Sequence, residues 1–191
     1  MGGALSTKYV DNYRARNQKS GRRGILVIGL DGSGKTTVTY QITLGKHINT
    51  VPTMGHNKET MKYEGRKIDM FDVGGSMLVR ETWRLYARAA DAIIYVVDAT
   101  DSGRMEEAAA ALRKLFYTDD SFSKPNSALM QVPVLVLANK QDMPGAMSGQ
   151  KVQRALDTDS LPCKSIQIIP ASARTGENIQ AAMMWLVNEM Y

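Results

Sequence analysis

From residue 24 onward, short apolar runs alternate along the chain with segments whose apolar residues recur every three or four positions. The apolar runs and one hairpin-like pair predict strands at 24–30, 57–65, 66–73, 92–100, 132–140 and 165–171. The helical spacing predicts helices at 36–45, 77–90, 103–117, 148–157 and 177–190. Strands that alternate with helices in this way are typical of a doubly wound α/β domain, because parallel strands require crossover helices.

The last helical segment has one apolar stripe, which predicts a face packed against the core. Its members are Ile179, Ala182, Met183, Leu186, Val187 and Met190. The polar, proline-containing stretch at 118–131 predicts a surface loop, and its sequence indicates no role.

Size and composition favour one packed domain. The chain has 191 residues, of which 43% are hydrophobic and 23% are charged. Its apolar runs are shorter than the roughly 18 residues that a membrane-spanning helix needs. The N-terminus lacks the apolar block of a secretory signal, and Cys163 is the only cysteine. We therefore expect a protein of the reducing cytosol.

The positive charge lies at the N-terminus. Residues 1–23 carry six lysines or arginines and one aspartate, whereas residues 24–191 carry 18 bases and 18 acids. This contrast predicts a basic N-terminal segment, 1–23, followed by a neutral domain, 24–191. On charge alone, such a segment suits nucleic acid, an anionic membrane or solvent.

A phosphate-binding motif follows the first predicted strand. The octapeptide GLDGSGKT, residues 29–36, fits the P-loop pattern and directly precedes a helical segment. Its glycines allow backbone N–H groups to face phosphate oxygens, while Lys35 neutralises the outer phosphates and the Thr36 hydroxyl ligates Mg²⁺. The predicted phosphate-binding residues are Asp31, Gly32, Ser33, Gly34, Lys35, Thr36 and Thr37.

A second motif indicates the base. The tetrapeptide NKQD, residues 139–142, ends an apolar strand, where α/β sheets place ligands. The Asp142 carboxylate can accept from the N1–H and the exocyclic amine of guanine, a donor pair that adenine lacks, and Asn139 and Lys140 would support the loop and cover the base. In the later segment PASARTGEN, Ser172 and Ala173 are candidates for the same site, with the Ala173 N–H aimed at the guanine carbonyl; a loop without a ligand is the alternative there.

These motifs occur in an order that resembles a known family. GLDGSGKT, DVGG at 72–75, W-R-x-Y at 83–86, VVDATD and NKQDMPGAM together resemble the ADP-ribosylation factor (Arf and Arf-like) branch of the small GTPases. The resemblance implies the P-loop NTPase small-GTPase fold, with six mostly parallel strands and helices on both faces. It also implies binding of GTP and GDP with Mg²⁺.

The resemblance further implies two switch segments that respond to the γ-phosphate. Thr53 would add a hydroxyl to Mg²⁺ in the GTP state, Asp72 would hold the metal through water, and the Gly75 N–H would contact the γ-phosphate. Taken alone, Thr53 would be better explained as a cap of the turn after Pro52 and Asp72 as a surface acid at the end of a strand; the P-loop earlier in the chain favours the metal roles.

Ser76 departs from the family pattern, which has a glutamine that orients the attacking water. The serine side chain is shorter by about two bonds, so it should not reach that water. Even with glutamine, an isolated GTPase of this class turns over on the order of 10⁻⁴ per second. We therefore expect very slow intrinsic hydrolysis. The protein would then either persist in the GTP state or depend on a partner that positions the water, unless another of its own side chains replaces the glutamine.

The effector surface also departs from the pattern. The resemblance places an aromatic trio at His56, Phe71 and Tyr86, where histidine replaces a phenylalanine and phenylalanine replaces a tryptophan. The smaller and more polar patch should favour different effectors. An exchange factor, an activating protein and effectors are the expected protein partners of a monomer.

The N-terminus MGGALS fits the myristoylation pattern, with Gly2 as the acceptor after removal of Met1. One myristoyl chain gives marginal, reversible membrane binding, and a basic segment is a recognised second signal. We therefore expect peripheral association with the cytosolic face of intracellular membranes, the Golgi being one candidate, rather than a nucleic-acid partner. In the family, a shift of the interswitch hairpin on GTP binding expels the N-terminal segment.

Two functions remain open. The first is a GTP/GDP switch with partner-stimulated hydrolysis, and the second is a non-hydrolysing GTP-dependent binding module or scaffold. An ATP-dependent phosphotransferase is a third, weaker hypothesis.

Overall fold

The computed structural model describes residue 13 and residues 20–48, 50–51, 53, 55–119 and 121–191. Its strands are β1 Arg23–Ile28, β2 His56–Tyr63, β3 Arg66–Val73, β4 Ala92–Asp98, β5 Val134–Asn139 and β6 Ile166–Pro170. They form one sheet in the order β2-β3-β1-β4-β5-β6. Only β2 and β3 pair antiparallel, so the predicted mostly parallel six-stranded sheet is confirmed.

Helices cover both faces of this sheet. They are α1 Lys35–Leu44, α2 Met77–Arg80, α3 Trp83–Ala87, α4 Met105–Phe116, α5 Gly149–Leu156 and α6 Ile179–Met190, with 3₁₀ turns at Ser102–Arg104 and Thr158–Ser160. Successive residues of β1 enter opposite cores, Leu26 and Ile28 on the side of α4 and α5, and Ile25 and Val27 on the side of α1 and α6. Because the central strands are buried on both faces, they read as continuous apolar runs.

The predicted stripe of the last helix is buried along its whole length. Every one of its six apolar members belongs to the core that packs against α1 and the sheet. Among the described residues, no helix is both long and apolar enough to cross a membrane.

The predicted single helix at 77–90 is wrong, because the structure has the two short helices α2 and α3 there. At the break, both the backbone N–H and the hydroxyl of Thr82 donate to the Val79 carbonyl, at 2.9 and 2.6 Å. This tighter bonding interrupts the α-helical pattern. Trp83 then begins α3 with its indole N–H donating to the Gly74 carbonyl at 3.0 Å.

The hairpin of β2 and β3 forms as predicted. Its two-residue turn has Glu64 at φ 48° and Gly65 at φ 78°, which suits the right-handed twist of the paired strands. The segment predicted as a surface loop, 118–131, is mostly exposed in its described residues. Leu129 anchors it in the core.

Tyr13, from the basic N-terminal segment, lies against this hairpin. Its hydroxyl donates to Asp69 Oδ2 at 2.6 Å, and its ring meets the ring of Phe71 edge-on at 4.9 Å. The Asp69 side chain is fully buried and also accepts from the Thr60 hydroxyl at 2.6 Å, with the Lys58 ammonium at 2.9 Å. A buried carboxylate thus connects the N-terminal segment to β2 and β3.

Asp69 has a lowered pKa despite its burial. Burial by itself raises the pKa, but the hydrogen bonds from Thr60, Tyr13 and Lys58 and the charge of Lys58 outweigh that effect. The ionised form is therefore the one that stabilises the folded hairpin.

We predict that Asp69→Asn lowers the free energy of unfolding near neutral pH by about 1–3 kcal/mol, because charge-assisted hydrogen bonds are lost in a buried site. The folded pKa of Asp69 lies below its ordinary value, so this stabilisation is present above about pH 4 and is lost as the pH falls through the lowered folded pKa. Urea unfolding of both proteins across the acidic range measures the difference. Glu177→Gln, at an exposed position, is the control. A difference between the Asp69 pair that stays constant with pH would contradict the prediction.

Candidate functional site

The loop between β1 and α1 closes around a cradle that only glycine permits. Gly32 and Gly34 have φ of 75° and 93°, in the left-handed region. A Cβ at Gly29 would lie 2.1 Å from the Val96 carbonyl oxygen, and one at Gly34 would lie 2.5 Å from Asn139 Nδ2. The loop leads into the N-terminus of α1, where backbone N–H groups and the helix dipole favour an anion.

Lys35 lies inside this cradle, where it is 6% exposed. Its ammonium donates to the Leu30 carbonyl at 2.8 Å. Burial lowers the pKa of Lys35 to about 8, although the carboxylates of Asp72 and Asp31 oppose this shift. A phosphate beside Lys35 would favour its charged form, so the site is short of negative charge.

Three oxygen-bearing side chains meet next to Lys35. The Thr36 hydroxyl donates to Asp72 Oδ2 at 2.6 Å, and Thr53 Oγ1 lies 2.8 Å from Thr36 Oγ1 and 3.5 Å from Asp72 Oδ2. These residues come from the start of α1, the end of β3 and the loop before β2. The sequence-predicted metal set is therefore brought together.

The carboxylate of Asp72 is incompletely satisfied. Its Oδ1 is buried and has no hydrogen-bond partner among the described residues. Burial raises the pKa of Asp72, although the Thr36 hydrogen bond and the Lys35 charge lower it. A hard cation, which prefers carboxylate and hydroxyl oxygens, would supply the missing charge, so the residues fit Mg²⁺. Within the described ranges, no group of three or more His, Cys, Asp or Glu side chains offers an alternative metal cluster.

The residues predicted to bind the base lie beside the cradle. Asn139 donates through Nδ2 to the Ser33 carbonyl at 2.8 Å, and its Oδ1 accepts from the Ala173 N–H at 2.9 Å. The Ser172 hydroxyl donates to Asp142 Oδ1 at 2.6 Å. These bonds join the P-loop, the NKQD loop and the loop after β6 into one unit.

Two details refine the predicted base site. The ammonium of Lys140 donates to Asp98 Oδ2 at 2.6 Å, which anchors its side chain at the end of β4. The Ala173 N–H already has Asn139 as its partner. Its assignment to the guanine carbonyl therefore stays a prediction.

The loop after β3 lies directly on the P-loop. A Cβ at Gly75 would be 2.3 Å from the Gly29 carbonyl oxygen and 2.4 Å from the Asp31 nitrogen. Ser76 follows as the exposed N-cap residue of α2, and its side chain makes no capping hydrogen bond. The structure thus places Gly75 at the phosphate cradle, and the catalytic assignment of Ser76 stays a prediction.

Sequence reasoning missed a group of charges at the edge of this cradle. Arg80 donates to Asp31 Oδ1 at 3.2 Å and to Glu107 Oε1 at 2.6 Å, and Arg104 lies 3.3 Å from Asp31 Oδ2. Burial raises the pKa of Asp31, but a backbone hydrogen bond and the two arginines outweigh this effect, so the pKa lies below its ordinary value. The only signal in the sequence was that Arg80 lies one helical turn after Ser76. Nothing in the spacing indicates Glu107, which comes 27 residues after Arg80.

The aromatic trio is assembled but largely covered. Tyr86 lies between His56 and Phe71, with ring centroids at 5.4 and 6.5 Å. Phe71 and Tyr86 are each 8% exposed, and Tyr13 packs against Phe71. Instead, exposed apolar side chains near the switch loops include Val51 at 83%, Met77 at 75% and Leu78 at 89%, which the sequence analysis did not single out. The role of the trio as an effector surface stays a prediction, and Gly2 lies outside the described residues.

Comparisons with known proteins agree with this geometry. The model of the ADP-ribosylation factor family matches residues 7–190. ADP-ribosylation factor-like protein 1 of Caenorhabditis elegans is 37% identical over 190 residues, which cover 100% of this chain and 98% of the relative. The protein of the same name from Saccharomyces cerevisiae is 38% identical over 164 residues, covering 86% of this chain and 85% of the relative.

A solved structure shows the same fold. The Arl6 BBS3 small GTPase of Trypanosoma brucei, determined with the nucleotide analogue GppNp, superposes with a TM-score of 0.74 at 26% identity and covers 88% of this chain and 97% of the other. The family match and the full-length relatives confirm the resemblance inferred from the motifs. The chain therefore belongs to the ADP-ribosylation factor family of GTP-binding small GTPases.

Proposed function

We propose that this protein is a membrane-associated GTP/GDP switch that recruits effectors and hydrolyses GTP very slowly by itself. The observation that carries the proposal is the meeting of Thr36, Thr53 and Asp72, because it joins the P-loop, the first switch segment and the end of β3 at one point. A γ-phosphate and its cation bound there would tie both switch segments to the P-loop, and loss of the γ-phosphate would release them.

Mg²⁺ is the proposed metal. Thr36 and Thr53 would ligate it through their hydroxyls and Asp72 through water, which would satisfy the buried Asp72 Oδ1. When bound, Mg²⁺ neutralises charge on the phosphate oxygens. The shortage of negative charge at Lys35 supports binding of a Mg²⁺-nucleotide complex rather than the metal alone.

Guanine is the proposed base, with Asp142 as its reader. The Asp142 side chain is 15% exposed; one of its oxygens accepts from the Ser172 hydroxyl, and the other lies 3.9 Å from Arg174. Its orientation is therefore set before a ligand binds, which favours selective hydrogen bonding.

We predict that Asp142→Asn weakens GTP binding by about 100-fold and improves binding of xanthosine triphosphate, because the charge-assisted acceptor for the guanine donors is lost. Displacement of a fluorescent GDP analogue by GTP, xanthosine triphosphate and ATP measures both effects. Asp119→Asn, in the loop 118–131, is the control. Unchanged discrimination among the three nucleotides would remove Asp142 from the base site, and wild-type preference for ATP would instead favour the phosphotransferase hypothesis.

Slow hydrolysis is proposed because Ser76 stands where the family has a water-orienting glutamine. The Ser76 side chain is exposed and makes no capping hydrogen bond at the start of α2. An activating protein would then have to provide water positioning. Without such a partner, the protein acts as a long-lived GTP-dependent binding module, the second function considered.

We predict that the wild type, loaded with GTP and Mg²⁺, releases phosphate no faster than about 10⁻⁴ per second, and that Ser76→Gln is faster because its amide reaches the attacking water. Single-turnover phosphate release measures both rates, after equal GTP loading has been verified for the two proteins. Equal rates would mean that another side chain handles the water.

Membrane association is proposed from the basic segment 1–23 and the myristoylation pattern at Gly2. The contact of Tyr13 with the hairpin supports a coupling between this segment and the switch region in 24–191. The proposed location is the cytosolic face of intracellular membranes, with the Golgi as one candidate. The proposed protein partners are an exchange factor, an activating protein and effectors.

We predict that Gly2→Ala lowers partitioning onto acidic liposomes roughly tenfold in protein produced with an N-myristoyltransferase, because one acyl chain adds a modest affinity to that of the basic segment. Protein produced without the transferase is the control, and there the variant and the wild type should partition equally. Equal partitioning of the wild type and the variant, both produced with the transferase, would show that the basic segment acts without a lipid.

A further inference from the structure

Arg80 connects three parts of the nucleotide site through different atoms of one guanidinium group. Nε donates to the Gly75 carbonyl at 2.6 Å, Nη2 to Asp31 at 3.2 Å and Nη1 to Glu107 at 2.6 Å. Gly75 belongs to the second switch segment, Asp31 to the P-loop and Glu107 to α4. The planar, three-way donor geometry of arginine is what makes this bridge feasible, and lysine lacks it.

The bridge is shielded from solvent at its centre. The Arg80 side chain is 14% exposed, whereas the Asp31 and Glu107 side chains are 59% and 39% exposed. Partial burial strengthens hydrogen bonds between charged groups. Because both acids stay accessible to water, loss of Arg80 would not leave a buried unpaired charge.

Gly75 needs such a support. Its backbone lies in contact with the P-loop at Gly29 and Asp31, and it has no side chain that could hold it there. Trp83 fixes the preceding carbonyl, that of Gly74, and Arg80 fixes the Gly75 carbonyl itself. Together these two side chains set the position of the peptide groups on either side of Gly75.

The charge of Arg80 also reaches the phosphate cradle. Its guanidinium is within hydrogen-bond distance of the Gly75 carbonyl and of the Asp31 carboxylate in the P-loop. The guanidinium therefore lies where Gly75 covers the P-loop, which is where a γ-phosphate would contact the Gly75 N–H.

We infer that Arg80 is a positioning residue that holds the second switch segment on the P-loop and thereby slows release of guanosine triphosphate selectively. The inference rests on the proposed nucleotide switch and names the side chain that maintains its closed form. Guanosine diphosphate lacks the γ-phosphate that Gly75 would contact, so its release does not depend on Arg80. The effect is exerted through Gly75 rather than by direct contact with the nucleotide.

The test measures release of a fluorescent, non-hydrolysable GTP analogue and of fluorescent GDP from the full-length chain in Mg²⁺. Arg80→Ala should accelerate release of the triphosphate analogue by about tenfold, the effect of losing one or two charge-assisted hydrogen bonds, and should change GDP release by less than about twofold. Arg80→Lys should lie in between, because it keeps the charge and loses the three-way geometry.

Arg84→Ala is the matched control. Arg84 lies on α3, the next helix after that of Arg80, and donates to the Lys114 and Tyr117 carbonyls at the end of α4, away from the P-loop. It should leave both release rates near those of the wild type.

Each outcome has a distinct meaning. Equal acceleration of both nucleotides by Arg80→Ala would overturn the inference in favour of a general loss of structure, and unchanged rates would show that Arg80 does not hold the segment. In both cases the proposed switch would stand. A wild-type chain that binds neither nucleotide would overturn the proposed function and this inference together.

Discussion

The whole nucleotide site depends on the two hydrogen bonds of the Asn139 side-chain amide. Through its two polar atoms it fixes the P-loop at Ser33 and the loop after β6 at Ala173. The bond to Ser33 exists only because Gly34 has no Cβ, which would lie 2.5 Å from the amide nitrogen. A glycine and an asparagine 105 positions apart therefore determine together whether the phosphate and base regions form one site.

Beside this framework, the buried charged groups of Lys35 and Asp72 lack complete partners among the described residues. Burial holds the pKa of Lys35 down to about 8 and raises the pKa of Asp72, although the two groups attract each other. Buried charges with incomplete partners cost stability, and proteins tolerate them mainly where function requires them. A Mg²⁺-nucleotide complex would supply an anion for Lys35 and a cation for Asp72 at the same time, which explains how ligand binding can organise both switch segments.

The hairpin of β2 and β3 connects this site to the N-terminal segment. One end of β3 carries Asp72, which accepts from the Thr36 hydroxyl, and the middle of the same strand carries Asp69, which accepts from the Tyr13 hydroxyl. Asp69 faces Thr60 and Lys58 across the antiparallel pair, so a shift of the hairpin would change the surroundings of a buried carboxylate.

The sequence by itself determined the elements and the chemistry that depend on local pattern. The apolar runs and the stripe of α6 predicted the α/β fold, because strand burial and helix period are recorded locally. The P-loop and NKQD motifs predicted the phosphate and base residues. The family, and with it the placing of Thr53 and Asp72 at the site, came from the resemblance that the order of the motifs carries. Tertiary structure alone decided the bridge of Arg80 to Asp31 and Glu107, the burial of Phe71 and Tyr86, and the burial of Asp69 beneath Tyr13. Each of these arises from contacts between segments far apart in the chain, and a single sequence has no local periodicity that records such contacts.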